Sequence, residues 1–450
     1  MSMTTNRRRV LRGSAIAAAL ALMLTACGGT DRADEGSGSG SGSDGGTTAE
    51  GDLSGDLLVW AWDSTVPDVA TAFEEANPGV DIEIVNAGTG NDQYTALQNA
   101  IQAGSGVPDL AQIEYFAIPQ FAIGEGLADI GPMGASDLED TFTPGPWSSV
   151  AINGGVYGLP LDSGPMALFY NEAVFNEHGV AIPTTWDEYL EAARALHAAD
   201  PNLYITNDTG DAGFTTSMIW QAGGHPYEVD GTNVTVDFDT PEVAQFTDLW
   251  QTMIDEELLA PVTSWSDDWN QGLGNGTIAT LTIGAWMPTN LENGAPAAEG
   301  DWRVAPMPQW EAGADLVTSE NGGSALSVTS ASQNADLAYA FLEFASVNDG
   351  VQIRVDGGAF PATVAELESE DFLNKEFPYF GNQKLNAVLA ESAKAVAPGW
   401  QYLPYQVYAN SIFNDNVGSA YISGTPLSDG IASWQDATIA YGNEQGFTVD

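Results

Sequence analysis

The sequence predicts an α/β fold in which strands alternate with helices. Asp56–Trp62 (DLLVWAW) is a short apolar run typical of a buried strand, and Val80–Val85 alternates apolar and polar residues. Between them Pro67–Ala76 has a helical pattern that Asn77-Pro78-Gly79 ends. Such alternation is typical of βαβ units with a parallel sheet. The chain has 450 residues, a length that usually divides into two domains.

The same reasoning assigns further elements along the chain. Thr185-Trp186-Asp187-Glu188 is a capping box that predicts a helix to about Ala199. The region after Ala362 is predicted to be mostly helical, with Trp400–Tyr408 irregular. The remaining predicted helices are Asn91–Ala103, Pro241–Glu257 and Ala335–Ala345, and the remaining predicted strands are Asp109–Ile113, Tyr157–Leu161, Ala167–Tyr170 and Ile278–Ile283.

The N-terminus has the features of an export signal. Arginines at 7–12 precede an apolar run, Ala15–Leu24, which is too short to span a bilayer as a helix. Leu24-Thr25-Ala26-Cys27 resembles the bacterial lipobox, which implies cleavage after residue 26 and acylation of Cys27. The arginines also resemble a twin-arginine motif, so the export route stays open. Residues 27–55 are rich in Gly, Ser and Thr and are predicted to form a flexible tether.

Composition and missing motifs exclude several function classes. Cys27 is the single cysteine, so no disulfide can form within the chain. The formal charge of −51 disfavours nucleic acid, anionic lipid and phosphorylated ligands, although acidity also keeps an exported protein soluble. The sequence has no P-loop, no Gly-x-Ser-x-Gly elbow and no zinc-ligand spacing. We therefore expect no cofactor, no metal and no catalytic residues.

An ordered set of sequence blocks resembles one protein family. The blocks run from LLVWAWD through GVPDLAQIE, VYGLPLDSGPMALFYNEAVF and GNGTIATLTIGAWM to GGAFPAT, over about residues 56–362. Behind the lipobox they are similar to the extracellular solute-binding lipoproteins of carbohydrate ABC importers, family 1, which include maltose-binding protein. The resemblance implies a protein that captures a neutral saccharide, hands it to a membrane permease, touches the membrane only through its lipid and acts as a monomer.

The resemblance also implies a two-lobed α/β clamp of the periplasmic-binding-protein type with three crossings between lobes. Clusters of Gly and Pro, which suit hinges, place the crossings near Gly164–Ala167, Asn321–Ala325 and Gly358–Ala362. The expected division is signal peptide 1–26, lipidated tether 27–55, N-terminal lobe 56–165 plus 325–358, and C-terminal lobe 166–321 plus 362–450.

Aromatic, carboxylate and amide side chains are the candidate ligand-binding residues for a sugar. Aromatic rings pack on the C–H faces of a sugar, and carboxylates and amides bond its hydroxyls. In open α/β sheets such residues follow the carboxyl ends of strands. Trp265 and Trp269 are further candidates in a Ser/Asp-rich loop, and Arg354 and Gly358 are possible rim contacts. The expected set is Trp62, Asp63, Glu114, Tyr115, Asp162, Trp220, Trp286, Asn321, Gly322 and Gly323.

Two other functions are compatible with these residues. An acidic, aromatic pocket also suits a polyamine or quaternary amine through cation–π contacts. Paired carboxylates near a sugar could instead belong to an anchored glycoside hydrolase, although no such pair is evident from spacing. Structural roles stay open for each candidate, since most tryptophans are simply core residues.

Overall fold

The fold is described from a computed structural model, which covers residues 53–450. The predicted signal peptide, Cys27 and nearly all of the predicted tether therefore lie outside the described residues. The tether was predicted to continue to residue 55, but the first strand already begins at Ser54. The strands are β1 Ser54–Trp60, β2 Gly79–Val85, β3 Leu110–Glu114, β4 Ala151–Ile152, β5 Gly155–Val156, β6 Leu159–Pro160, β7 Met166–Asn171, β8 Thr206–Asn207, β9 Tyr227–Asp230, β10 Asn233–Val236, β11 Leu259–Ala260, β12 Thr280–Gly284, β13 Trp302–Ala305, β14 Ser324–Val328 and β15 Thr448–Val449.

Helices connect most of these strands, and the helical prediction for the region after residue 362 is confirmed. The irregular stretch there is shorter than expected, because a helix begins at Gln406. The helices are α1 Val66–Ala76, α2 Asn91–Ala103, α3 Ile118–Ile123, α4 Pro144–Val150, α5 Glu172–His178, α6 Trp186–Ala199, α7 Ala212–Gln221, α8 Pro241–Asp255, α9 Asp267–Asn275, α10 Met287–Gly294, α11 Ala335–Ser346, α12 Asp349–Asp356, α13 Val364–Leu367, α14 Glu370–Asn374, α15 Leu385–Lys394, α16 Gln406–Ser411, α17 Phe413–Val417, α18 Ala420–Ser423 and α19 Leu427–Glu444.

Local chemistry sets several helix ends where the sequence predicted them. The Thr185 hydroxyl accepts a hydrogen bond from the Glu188 amide at 3.2 Å and so caps α6. Thr240 caps α8 in the same way, with Pro241 in the first turn. Gly104 ends α2 with a left-handed backbone, φ +61°.

The first sheet has five strands in the order β2-β1-β3-β14-β6. β1 pairs in parallel with β2 and β3, as predicted, whereas β14 runs antiparallel to both β3 and β6. The expectation of a parallel sheet is therefore correct only for its first three strands. β1, β3 and β6 all run the same way, so their carboxyl ends lie at one edge of the sheet. The start of β14 lies at this edge too, because Ser324 pairs with Glu114.

A second sheet is antiparallel, with β7 between β12 and β13. Successive side chains of β7 pack alternately into two groups of buried residues, whereas the first sheet packs into a separate group. The chain leaves the first sheet after β6, enters the second at β7, and returns at β14. The first sheet therefore has a core of its own, and the second sheet packs against two other groups of buried residues.

The three predicted crossings lie side by side. The Asn321 amide donates to the Gly164 carbonyl at 2.8 Å, and the Ser163 amide donates to the Phe360 carbonyl at 3.3 Å. Val351 and Val355 pack with the second-sheet residues, and Ala362 packs with the first core. Near the third crossing, residues assigned to one lobe therefore pack with the core of the other. The lobe boundaries at 358 and 362 stay a prediction.

Candidate functional site

A cavity of about 940 Å³ is lined by residues that belong to the first sheet and its loops and by residues from the second sheet and the helices around it. One side consists of residues that follow β1, β3 and β6, and the other of residues around β8, α7, α9 and β12. Eight of the ten predicted ligand-binding residues line it: Trp62, Asp63, Glu114, Asp162, Trp286, Asn321, Gly322 and Gly323.

We call Asp63, Glu114 and Asp162 the carboxylate wall. Each follows or ends one of the three strands that run the same way in the first sheet, which explains why residues far apart in sequence meet at one edge. β1 has β2 on one side and β3 on the other, so this edge is the kind of switch point at which open α/β sheets bind ligands.

Asp63 is held firmly by the protein. One carboxylate oxygen accepts hydrogen bonds from the Thr65 amide and hydroxyl at 2.8 and 2.7 Å, and the other pairs with the Arg354 guanidinium at 3.0 Å. Arg354 is almost fully buried and also donates to the Leu161 carbonyl. Burial raises the pKa of Asp63, but the Arg354 charge and the Thr65 hydrogen bonds outweigh burial and hold that pKa below its ordinary value.

Glu114 and Asp162 each have one oxygen occupied by the protein. Glu114 accepts from the Tyr94 hydroxyl at 2.8 Å, and Asp162 accepts from the Ser324 amide and hydroxyl, both at 2.7 Å. Within residues 53–450, the second oxygen of each has no protein hydrogen bond. These two carboxylates therefore have acceptor capacity left for a ligand.

Burial disfavours the charged form of both groups. Burial raises the pKa of Glu114 to about 7; the Tyr94 hydrogen bond opposes this rise, and the charges of Asp162 and Asp211 add to it. Burial likewise raises the pKa of Asp162, against the Arg354 charge and the Ser324 hydrogen bonds. No Lys, Arg or His is present among the described residues that line the cavity.

We call Trp265, Trp269 and Trp286 the aromatic wall. The Trp265 ring stacks on Trp286 with centroids 5.7 Å apart and planes at 28°, and it lies 4.9 Å from Trp269. The indole N–H of Trp286 donates to the Asn321 carbonyl at 2.7 Å, which ties this wall to the second crossing. The wall offers flat apolar surface in the cavity that the carboxylates also line.

Gly322 and Gly323 lie where the crossing passes between the two walls. Both have a left-handed backbone, with φ +78° and +93°. A Cβ at Gly323 would lie 2.5 Å from the Tyr115 ring, and one at Gly322 would lie 2.9 Å from the Trp286 nitrogen. These glycines allow the chain to pass close to both aromatic residues.

Two predicted ligand-binding residues do not line the cavity. Trp220 is buried in the core beside the second sheet, and its ring stacks on Trp400 with centroids 4.9 Å apart. Its indole N–H donates to the Ala397 carbonyl. Tyr115 is also buried, and its hydroxyl donates to the Asp162 carbonyl at 2.5 Å. Trp220 therefore packs as a core residue and Tyr115 supports the backbone of Asp162, and the expectation that these rings contact a ligand stays a prediction that this cavity does not favour.

Sequence reasoning missed part of the second side of the cavity. Asp208 and Asp211 follow β8, and Phe214 lies in the first turn of α7. Asp208 is buried and accepts from the Trp250 indole and the Tyr421 hydroxyl, and burial raises its pKa to about 6. No strand is predicted from sequence at Thr206–Asn207, so the carboxyl-end rule used for β1 and β3 does not select the segment DTGD that follows β8. Asn410, Phe413 and Asn414 line the cavity from the C-terminal helices.

The family model described as Bacterial extracellular solute-binding protein matches residues 61–352. The chain belongs to this family. A solved structure similar to this binding protein is the ABC transporter associated binding protein from B. animalis subsp. lactis Bl-04 in complex with β-1,6-galactobiose. The two share 46% sequence identity with a TM-score of 0.81, over 88% of this chain and 100% of the other. The α/β two-lobed fold and the suspected family are thereby confirmed.

Two more distant relatives extend the comparison. The galacto-N-biose-/lacto-N-biose I-binding protein from Bifidobacterium longum, in complex with lacto-N-biose, has 24% identity and a TM-score of 0.78 over 88% of this chain and 99% of that one, which shows the fold alone. The arabinooligosaccharide-binding protein of Halalkalibacterium halodurans is 28% identical over 63% of this chain. The binding protein spans less than two thirds of the length of the first curated relatives it matches, 64% of this one.

Proposed function

We propose that this binding protein captures a neutral sugar or oligosaccharide between the carboxylate wall and the aromatic wall, and delivers it to the membrane permease of an ABC importer. The observation that carries the proposal is the combination of the two walls: carboxylates with free acceptor capacity and tryptophan rings line one cavity of about 940 Å³. Hydroxyls suit the first wall, and the C–H faces of a sugar ring suit the second.

The charge of the lining supports a neutral ligand. Five carboxylates line the cavity, those of Asp63, Glu114, Asp162, Asp208 and Asp211, and none of the described lining residues is basic. An acidic saccharide would bring another negative charge beside buried carboxylates, at a cost that low local polarity increases. The ligands named for similar proteins, β-1,6-galactobiose and arabinooligosaccharides, are uncharged and agree with this argument.

Closure is the expected mechanism of capture. A ligand that contacts both walls binds the closed arrangement better than an open one, so it shifts the population toward closure. The adjacent crossing segments, with Gly322 and Gly323 at one of them, provide backbone that can take up the change in angle.

Calorimetry with a small panel tests the ligand class. The panel comprises β-1,6-galactobiose, an arabinooligosaccharide, a uronic-acid disaccharide as the anionic comparator and spermidine as the cationic one. We expect a neutral saccharide to bind and the uronic-acid disaccharide not to bind. Binding of spermidine alone, weakening steeply with salt, would replace the proposal with a cation-binding clamp.

Two further measurements on the same samples test the mechanism. Small-angle scattering should give a smaller radius of gyration with the saccharide that binds, and tight binding without compaction would contradict the clamp. Mass spectrometry of the saccharide after incubation should find it intact. Cleavage that one carboxylate-to-amide change abolishes would make the protein a glycoside hydrolase.

The location proposed for the protein is the outer face of the cell membrane. Its support is the sequence Leu24-Thr25-Ala26-Cys27 and the polar segment that follows it. No helix within residues 53–450 is long and apolar enough to cross a membrane. Acyl chains on Cys27 with a flexible tether would keep the clamp at high local concentration beside its permease. Cys27→Ala is expected to release the protein into the medium with saccharide affinity unchanged.

A further inference from the structure

Trp265 has an unusual combination of backbone and exposure. Its φ is +69°, a left-handed conformation that bulky residues rarely adopt. Its side chain is 55% exposed, although a tryptophan usually buries most of its surface. Backbone strain of this kind persists only where the surroundings hold it, and it concentrates at ligand sites.

The surroundings hold this loop at several points. The Asn207 amide donates to the Val262 carbonyl at 3.2 Å and to the Ser264 hydroxyl at 2.9 Å. On the other side of Trp265, the Ser266 hydroxyl donates to the Thr263 carbonyl at 2.7 Å and caps α9. The ring is therefore presented by a loop that is fixed before and after it.

The ring partners determine which surface of Trp265 is available. Trp269 is buried, and its indole N–H donates to the Asn207 side chain at 2.7 Å. Trp286 is half-buried, fixed to the Asn321 carbonyl and stacked against Trp265. Two anchored tryptophans thus support the third, and Trp265 is the member of the aromatic wall with the largest exposed surface.

We propose that Trp265 is a specificity-determining residue that stacks on the ring at the outer end of a bound oligosaccharide, whose inner ring is held by the carboxylate wall. The inference rests on the proposed function. It assigns Trp286, one of the ligand-binding residues expected from sequence, to a supporting position behind Trp265. It also predicts that the protein selects saccharides of two or more rings, because the outer ring supplies the contact with Trp265.

Three substitutions separate stacking from simple packing. Trp265→Phe keeps a flat ring, Trp265→Leu keeps an apolar cover over Trp286 without a flat face, and Trp265→Ala removes both. All three keep a Cβ, so they share the backbone strain at φ +69°. Ile422→Ala is the control, since Ile422 is 88% exposed and does not line the cavity.

The experiment is calorimetric titration with the neutral di- or oligosaccharide that binds the wild type best. We expect Trp265→Ala to weaken binding roughly tenfold, Trp265→Phe to restore most of the affinity and Trp265→Leu to restore little. Acrylamide should quench Trp265 fluorescence in the free protein, and saccharide should protect a fraction that is absent in Trp265→Phe.

Three results would overturn the inference. They are affinity of Trp265→Ala within about twofold of the wild type, equal rescue by Leu and Phe, or no protected fraction. If the wild type binds a saccharide and one of these results appears, only the role of Trp265 is wrong. If the wild type binds no saccharide at all, the proposed function fails as well.

Discussion

The two walls of the cavity are built in different ways. The carboxylate wall consists of charged groups at one edge of a sheet, each oriented by short hydrogen bonds from buried partners such as Arg354, Tyr94 and Ser324. The aromatic wall consists of rings on a loop and at helix starts, in which Trp269 and Trp286 are each fixed by one indole hydrogen bond and Trp265 packs against both. Its most exposed ring, that of Trp265, is held by these two rings and by the hydrogen bonds of its own loop.

This difference indicates a division of roles between the walls. Fixed acceptors discriminate between hydroxyl arrangements, because losing one charged hydrogen bond costs about 1.5–3 kcal/mol. Stacked rings contribute contact area that depends on ligand length more than on hydroxyl orientation. Substitutions in the first wall should therefore change which sugar binds, and those in the second should change how many rings are needed.

The largest expected effect comes from removing the anchor of the carboxylate wall. Arg354→Met leaves Asp63 buried without its partner, and we expect the free energy of unfolding to fall by about 3–5 kcal/mol. Denaturant titration measures this, with Arg194→Met as the control because the ion pairs of Arg194 are exposed and screened by solvent, so their loss should change stability little. Equal losses for the two variants would show that the buried pair is not an anchor.

The next effect is on affinity rather than stability. Asp162→Asn keeps an oxygen for the Ser324 donors but removes the charge, so we expect saccharide affinity to fall by about 1.5–3 kcal/mol, roughly 10- to 100-fold. Asp140→Asn is the matched control, being exposed and outside the cavity. Undiminished affinity of Asp162→Asn would remove Asp162 from the ligand contacts.

The carboxylate wall should also make stability depend on pH. The pKa of Glu114 is raised from 4.5 to about 7, mainly by burial, with added repulsion from Asp162 and Asp211 and an opposing hydrogen bond from Tyr94. Between these values the folded protein binds a proton that the unfolded chain has lost. The free energy of unfolding should therefore fall as the pH rises through this window.

Glu114→Gln tests this dependence. It should flatten the fall in stability between about pH 5 and about pH 8 and make the variant more stable than the wild type at the higher pH. Part of the slope should remain, because burial also raises the pKa of Glu320 to about 7. Glu114→Gln/Glu320→Gln should remove more of it. An unchanged slope in both variants would contradict the raised pKa of these two groups.

The smallest effect is expected in the aromatic wall. Trp286→Phe removes the hydrogen bond to the Asn321 carbonyl but keeps a ring behind Trp265, so we expect a stability loss of about 0.5–1.5 kcal/mol and a slight loss of affinity. Thermal unfolding and calorimetry measure the two effects. A large loss of affinity with normal stability would make Trp286 the ring that contacts the ligand.

The sequence predicts the carboxylate wall better than the aromatic wall. Asp63, Glu114 and Asp162 were assigned because each follows or ends a predicted strand, and strands are visible in local sequence as apolar runs or apolar/polar alternation. The core position of Trp220 was not predicted, because local sequence does not reveal that every residue from Thr215 to Gln221 in its helix is buried. The position of Trp265 depends on Asn207, which is distant in sequence, and on a backbone angle that no motif at this loop signals.

One titration tests the central claim, that a single saccharide contacts both walls. The neutral saccharide that binds the wild type best is titrated into the wild type, Asp162→Asn and Trp265→Ala under one set of conditions. The account predicts that both variants bind this saccharide more weakly while each remains folded. Wild-type affinity in either variant would contradict the claim and place the ligand against one wall only.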